Sequence, residues 1–432
     1  MADEQKGKGM VKEITGGVCA PRGFRAGGIR AGIKASSQKR DLALICSEKP
    51  CVSAAMFTTN RVQAASVLVS RERLARGSCR AVIANSGNAN ACTGEAGLAA
   101  ARRMADLAAE KLAIAGEEAA VASTGVIGVP LPITVIEAGM DRLVQSLRGD
   151  KAGHDAALEG IMTTDTRKKE ISLEIEIRGI PVRLGGMVKG SGMIHPNMAT
   201  MLCFITTDAA ISAPLLDQAL RHGVNRSFNR LTVDGDTSTN DMVLIMANGE
   251  AGNPLIAAGG DTFEVFQKAL EYLCVHLTRA MARDGEGAGK LLCVAVRGAA
   301  DEGIAEALAK SVAASNLVKA ACFGADANWG RVLCALGYAG IPFDPAAVDV
   351  CFASRRGSLL VCRGGAGLPF SEDEAKEILL EDEVWILVDL GGGAGGGEIP
   401  MPDPLNLGPG EAVAWGCDLT YDYVRINGDY RS

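Results

Sequence analysis

Residues 189–209 read KGSGMIHPNMATMLCFITTDA. The stretch opens as a loop, with Gly190, Ser191, Gly192 and Pro196, and closes as an apolar run with the length and composition of a buried strand. The changeover falls at Ala199-Thr200, eleven residues after Lys189. A threonine there has two readings. It is a β-branched residue opening a strand, or it is a nucleophile released by cutting the bond before it. A threonine hydroxyl needs a base, and an N-terminal threonine carries one in its own α-amine, which titrates near 7.7–8.0. An internal Thr200 reaches that state if its hydroxyl attacks the Ala199 carbonyl through a five-membered ring and water hydrolyses the resulting ester. A small preceding residue and a taut backbone favour this, and Ala199 and Pro196 suit both needs.

Outward from this stretch, residues 171–177, ISLEIEI, alternate as a half-exposed strand. The turn at RGIP and the run VRLGGMV return it as a hairpin that delivers the chain to Lys189. Residues 13–85 read as short strands broken by Gly and Pro: DLALICS, VSAAMFTT and AVIANSG, the last running on to Gly87. Residues 95–112 read as a helix with Leu98, Ala101, Ala105, Ala108 and Leu112 on one face. Residues 261–283 form the longest helix, with Phe263, Phe266, Leu270, Leu273 and Leu277 as its core stripe. The strand LLCVAVRG follows. Irregular alternation with an antiparallel hairpin points to an α/β fold of layered sheets, not a doubly wound parallel sheet. The glycine-rich piece at 389–411 reads as a flexible surface insertion.

Composition narrows the function classes. At 432 residues and 48% hydrophobic content, a sizeable core is expected. The net charge of −7 argues against nucleic acid as the main partner, since phosphate binding needs a basic face. Aromatic residues are only 4%, which disfavours a base-stacking platform. No run approaches the roughly 18 apolar residues of a membrane span, and the N-terminus has no apolar signal region. The 13 cysteines include no C-x-x-C pair and only four histidines accompany them, so no metal site is expected. The reading is a soluble, reduced, cytoplasmic protein with cysteines used as small core residues.

Other motifs fail on inspection. GGGAGGG at 391–397 lacks the Lys-Ser/Thr of a phosphate loop. DGDTSTND at 234–241 starts like a calcium loop, but its sixth position is Thr239 and its twelfth Ile245. It reads instead as a turn in which Asp234, Asp236 and Asn240 bond their own backbone. No G-x-S-x-G elbow is present. His195 lies in the loop before Pro196, and its role stays open.

Long blocks in order along the whole chain carry a resemblance. They are GVCAPRGFRAGGIRAGIK (17–34), FTTNRVQAASV (57–67), NSGNANACTG (85–94), ASTGVIG (122–128) and MTTDT (162–166), then MVKGSGMIHPNMATMLCFITTDA (187–209), SFNRLTVDGDTSTND (227–241), RDGEGAGK (283–290), FGADANWGR (323–331) and WGCDLTYDYVRINGDYRS (415–432). Together they resemble the glutamate N-acetyltransferase (ornithine acetyltransferase) family of arginine biosynthesis. The resemblance implies the layered fold shared with N-terminal-nucleophile-like aminopeptidases. It implies self-cleavage between Ala199 and Thr200 into an alpha chain, 1–199, and a beta chain, 200–432, that fold together and pair as a heterotetramer of two alpha and two beta chains. The implied reaction moves acetyl from N2-acetylornithine to glutamate through an acetyl-threonine on Thr200. Thr124 and Gly125 are implied as oxyanion donors, and Thr163, Lys189, Thr200, Glu286, Asn427 and Ser432 as substrate-binding residues. No cofactor is expected, and use of acetyl-CoA as a second donor is left open. The alternative is an aminopeptidase or amidohydrolase on the same scaffold. His195 departs from the family's usual small residue, and the glycine-rich stretch near 391–409 is longer than the family's usual connection.

Overall fold

The hairpin that leads to Lys189 is the spine of a six-stranded sheet. The computed structural model describes residues 11–34, 37–195, 201–391 and 399–428. Ala199, Thr200 and Ser432 therefore lie outside the described residues, as does most of the GGGAGGG run. The chain forms two compact units. The first takes 1–190, 197–226 and 237–277; the second takes 191–196, 227–236 and 278–432.

The first unit holds β1 (Lys12–Ile14), β2 (Phe24–Ile29), β3 (Leu42–Ser47), β4 (Val52–Phe57), β5 (Ala81–Asn88), β6 (Ala119–Val126), β7 (Lys169–Ile177), β8 (Ile180–Lys189), β9 (Leu202–Thr207) and β10 (Met242–Ala247). One sheet runs β1-β7-β8-β9-β10-β4, and a second runs β2-β3-β5-β6. Ile177 pairs with Ile180 across a two-residue turn. Arg178 and Gly179 both take positive φ, 51° and 81°, as a type I′ hairpin turn requires. The expected run of strands between 13 and 85 also contains a helix, Ala65–Leu74. Val67 and Val69 hid it, because β-branched residues suit strands better than helices.

Layering follows from which faces are apolar. Met187, Phe204 and Leu244 of the first sheet pack against Ile45, Val82 and Ala120 of the second. Leu44, Ile83 and Val121, on the far face of the second sheet, meet the helices Gly94–Leu112 and Ile133–Gln145. The helix Asp261–Arg283 covers the first sheet, and its whole expected stripe is buried. Gly186 lets it come close: a Cβ there would lie 2.9 Å from Leu273. The order is helix, sheet, sheet, helix, the layered α/β class expected.

β9 and β10 are parallel neighbours, and each is flanked by a strand from earlier in the chain. β8 pairs antiparallel with β9, and β4 antiparallel with β10. Both flanking strands precede residue 199, and both central strands follow residue 200.

The second unit holds β11 (Leu291–Arg297), β12 (Asp349–Ser354), β13 (Gly357–Arg363), β14 (Ala366–Gly367), β15 (Glu383–Asp389) and β16 (Ala412–Cys417), ordered β14-β13-β12-β15-β11-β16. Helices Glu302–Ala314, Trp329–Gly337 and Glu372–Leu379 bury apolar residues against it. Where described, the expected surface insertion is partly structural, because Ile399 is buried. All 13 cysteines are free, and all but Cys92 and Cys334 are buried, as expected of core residues.

Candidate active site

Lys189 ends β8 and is only 3% exposed, so it is no solvated loop lysine. Its Nζ donates to Thr124 Oγ1 at 3.3 Å. A hydroxyl that accepts from an ammonium keeps its own hydrogen free to donate. Gly125 follows with φ 137°, a backbone state that favours glycine. A Cβ there would stand 2.3 Å from the Gly87 carbonyl carbon, so β5 and β6 approach at this point as only a glycine at 125 permits.

A carboxylate that sequence reasoning missed organises this cluster. Asp165, buried in the MTTDT stretch, receives the Thr163 amide at 2.9 Å and the Gly190 amide at 2.8 Å. Lys169 Nζ donates to it at 2.6 Å. Burial acts to raise the Asp165 carboxyl, but the Lys189 and Lys169 charges outweigh it and hold the group well below the usual carboxylate range. Thr163, Lys189 and Thr124, expected from separate blocks, are thus tied into one network. Lys34, also missed, donates to the Met162 carbonyl at 2.7 Å. Burial, with Lys189 nearby, pulls its ammonium down to about 8, although Asp41 acts to raise it. The signals were present, an aspartate two residues after Thr163 and a lysine closing the first block, but their partners are far away in sequence.

Two sequence-expected residues meet in the second unit. Asn427 Nδ2 donates to Glu286 Oε2 at 2.9 Å, and the Glu286 amide donates to the Ser191 carbonyl at 2.7 Å. The Glu286 carboxylate occupies the space that Gly192 leaves: a Cβ there would lie 2.2 Å from Oε2. The glycines flanking Glu286 serve the chain's own packing. A Cβ on Gly287 would meet the Tyr423 amide nitrogen at 2.5 Å, and one on Gly285 the Cys417 sulfur at 2.8 Å. His195 Nδ1 lies 3.3 Å from Thr232 Oγ1, and burial lowers its pKa. Asp234 receives its own turn's Asp236 amide at 3.2 Å, as expected. Asn240 does not self-bond. Its Nδ2 donates to Ala89 O at 2.6 Å and Ser123 O at 2.7 Å, because buried carbonyls of two other strand ends need donors.

Among the described residues, His154, Asp155 and Glu170 bring metal-capable atoms within 4.8 Å of one another. Lys151 and Lys168 ammoniums already sit on these carboxylates, so the cluster is neutralised by the protein itself. Among the described residues no helix is long and apolar enough to cross a membrane.

A hydroxyl poised to donate, a glycine-lined strand end beside it and a buried ammonium suit a tetrahedral oxyanion, and so define an acyl-transferring enzyme on layered α/β sheets. The chain belongs to the ArgJ family, whose family model matches residues 25–432. It is 52% identical over 420 residues to the arginine biosynthesis bifunctional protein ArgJ of Symbiobacterium thermophilum, which covers 97% of this chain and 99% of that protein. It is 49% identical over 409 residues to the ArgJ 1 protein of Clostridium acetobutylicum, covering 95% and 96% of the two chains. A crystal structure of ArgJ from Bacillus halodurans is similar at 44% identity and a TM-score of 0.47, covering 52% of this chain and 98% of that one.

Proposed function

We propose that this protein moves the acetyl group of N2-acetylornithine to glutamate, giving ornithine and N-acetylglutamate in arginine biosynthesis. The observation that carries the reading is the buried contact of Lys189 with Thr124, beside the glycine-only position in the strand end at Gly125. The chain first cuts itself: the Thr200 hydroxyl attacks the Ala199 carbonyl, the amide becomes an ester, and water releases the Ala199 carboxylate. The freed α-amine of Thr200 then serves as base. It takes the hydroxyl proton as Thr200 Oγ attacks the acetyl carbonyl, and it returns that proton to the departing ornithine amine. Thr124 and Gly125 hold the oxyanion. Glutamate's amine attacks the acetyl ester and restores Thr200. Thr163 and Lys189 bind substrate, Lys189 through a carboxylate, while Glu286, Asn427 and Ser432 receive the amino-acid ends, Glu286 through ornithine's distal ammonium. Acetyl-CoA serves as a second donor without being a resident cofactor, in keeping with the bifunctional naming of relatives. The alpha and beta chains pair as a heterotetramer in the cytoplasm.

Intact mass spectrometry tests this reading. Purified protein is expected as fragments of 1–199 and 200–432, and Thr200→Ala as one inactive chain. Acetylornithine alone adds one acetyl to the fragment starting at Thr200, and glutamate removes it. Release of acetate at the same rate without glutamate would make the enzyme an amidohydrolase instead.

A further inference from the structure

We propose that Asn240 and Asp241 are positioning residues that together set the gap between the strand led by the nucleophile and the strand end that bears the oxyanion donors. The inference rests on Thr200 being that nucleophile.

Both residues lie at the entrance to β10 and are buried, 6% and 1% exposed. Asp241 Oδ1 accepts the Met201 amide at 3.0 Å, one residue after Thr200. The Met201 carbonyl accepts the Met242 amide at 3.1 Å, so Met201 is held on both polar groups. Asn240 Nδ2 donates at 2.7 Å to the carbonyl of Ser123, the residue just before Thr124, and at 2.6 Å to that of Ala89. Its Oδ1 accepts the Thr239 hydroxyl at 2.6 Å, and the two carbonyls, which can only accept, fix which end of the amide is nitrogen. Consecutive Cα atoms are about 3.8 Å apart. One short, inextensible stretch of chain therefore grips both sheets, each at a peptide adjoining the chemistry.

Asp241 serves here as an acceptor, its Oδ1 taking the Met201 amide. Burial raises its carboxyl well above the usual range, against the Met201 amide, Ser238 and Lys189. An ionised carboxylate in that position would be costly, whereas an uncharged acceptor on Met201 is enough for positioning. Asparagine reproduces that acceptor and alanine does not.

The test uses full chains carrying Asp241→Asn, Asp241→Ala, Asn240→Ala and Asn240→Asp. Cleavage at 199/200 is timed by intact mass, and kcat and KM for acetylornithine are measured, with circular dichroism checking the fold. Misplacement of reacting groups by an ångström costs up to about 10²-fold. Asp241→Ala and Asn240→Ala are expected to slow both cleavage and kcat about tenfold to a hundredfold with KM within about threefold. Asp241→Asn is expected to stay within about threefold of wild type throughout. If Asp241→Ala does not fold, Asn240→Asp against Asp241→Asn decides, the former slowed and the latter not. Wild-type rates in the two alanine variants overturn the proposal, as does an Asp241→Asn enzyme as slow as Asp241→Ala, which would require the charge. A wild-type chain that never cuts itself defeats the nucleophile reading instead, and that outcome is read in the wild-type arm alone.

Discussion

Gly125 and Glu286 each offer a test of the proposed function. Gly125→Ala forces a Cβ to within 2.3 Å of backbone and a left-handed φ on an L-residue. The strand end must move, and loss of an oxyanion donor costs about 10²–10³ in kcat. Steady-state rates should show a drop of that size, and activity within about threefold of wild type would remove Gly125 from the oxyanion hole. Glu286→Gln keeps the shape that accepts the Asn427 amide but drops the charge. A charge-assisted bond is worth roughly 1.5–3 kcal/mol. The kcat/KM for acetylornithine should then fall about tenfold to a hundredfold, with glutamate little affected, because glutamate has no distal ammonium. Equal losses in separately measured half-reactions would reassign Glu286. Thr124, Gly125, Thr163 and Lys189 were reached through the family's blocks rather than through their residue types, and the structure ties Thr163, Lys189 and Thr124 into one network. Asp165, Asn240 and Asp241 were not legible, because their value lies in backbone groups of distant segments, and a short polar side chain in a turn looks locally satisfied.

Hairpins and helix stripes were legible because periodicity and turn chemistry are local. The strand alternation of β7, the turn at RGIP and the stripe of Asp261–Arg283 all came through. Sheet order was not legible, since it depends on which faces find each other. One packing joint shows how charge enters. The helix Lys151–Ile161 presents His154 to β7, where it pairs with Glu170, and His154 Nδ1 accepts the Val18 amide at 3.1 Å. Burial acts to raise the Glu170 carboxyl, but the His154 and Lys151 partners win and hold it at about 2, against 4.5 for a free glutamate. A depressed carboxylate pKa stabilises the fold above the unfolded value and loses that contribution as pH falls through the folded one. Wild type should therefore lose on the order of 1–2 kcal/mol between pH 4.5 and 2, after discounting for solvent screening of a half-exposed group. Glu170→Gln should be less stable at neutral pH and show a flatter decline over that window. Parallel melting curves for the two proteins would contradict this assignment.

At the scale of the whole molecule, the strand order β8-β9-β10-β4 dominates. Under the proposed cut, the two central strands fall in the fragment that starts at Thr200, and both outer ones in the fragment that ends at Ala199. Strand hydrogen bonds and the core between the sheets, not the peptide bond, therefore hold the pieces. Cut protein is expected to elute from a sizing column as one species and to separate only in denaturant; free fragments in native buffer would contradict the interleaving. Before the cut, threading β9 and β10 between their neighbours is a first-order event, because all four strands share one chain. After the cut the same sheet can be rebuilt from denaturant only by an encounter between two molecules. Refolding yield of mature protein should then rise with protein concentration, whereas that of the uncut Thr200→Ala chain should not. With the proposed cut made, the native state of the mature enzyme is in this sense inherited from a precursor that no longer exists, and its lifetime is governed by how slowly the sheet opens.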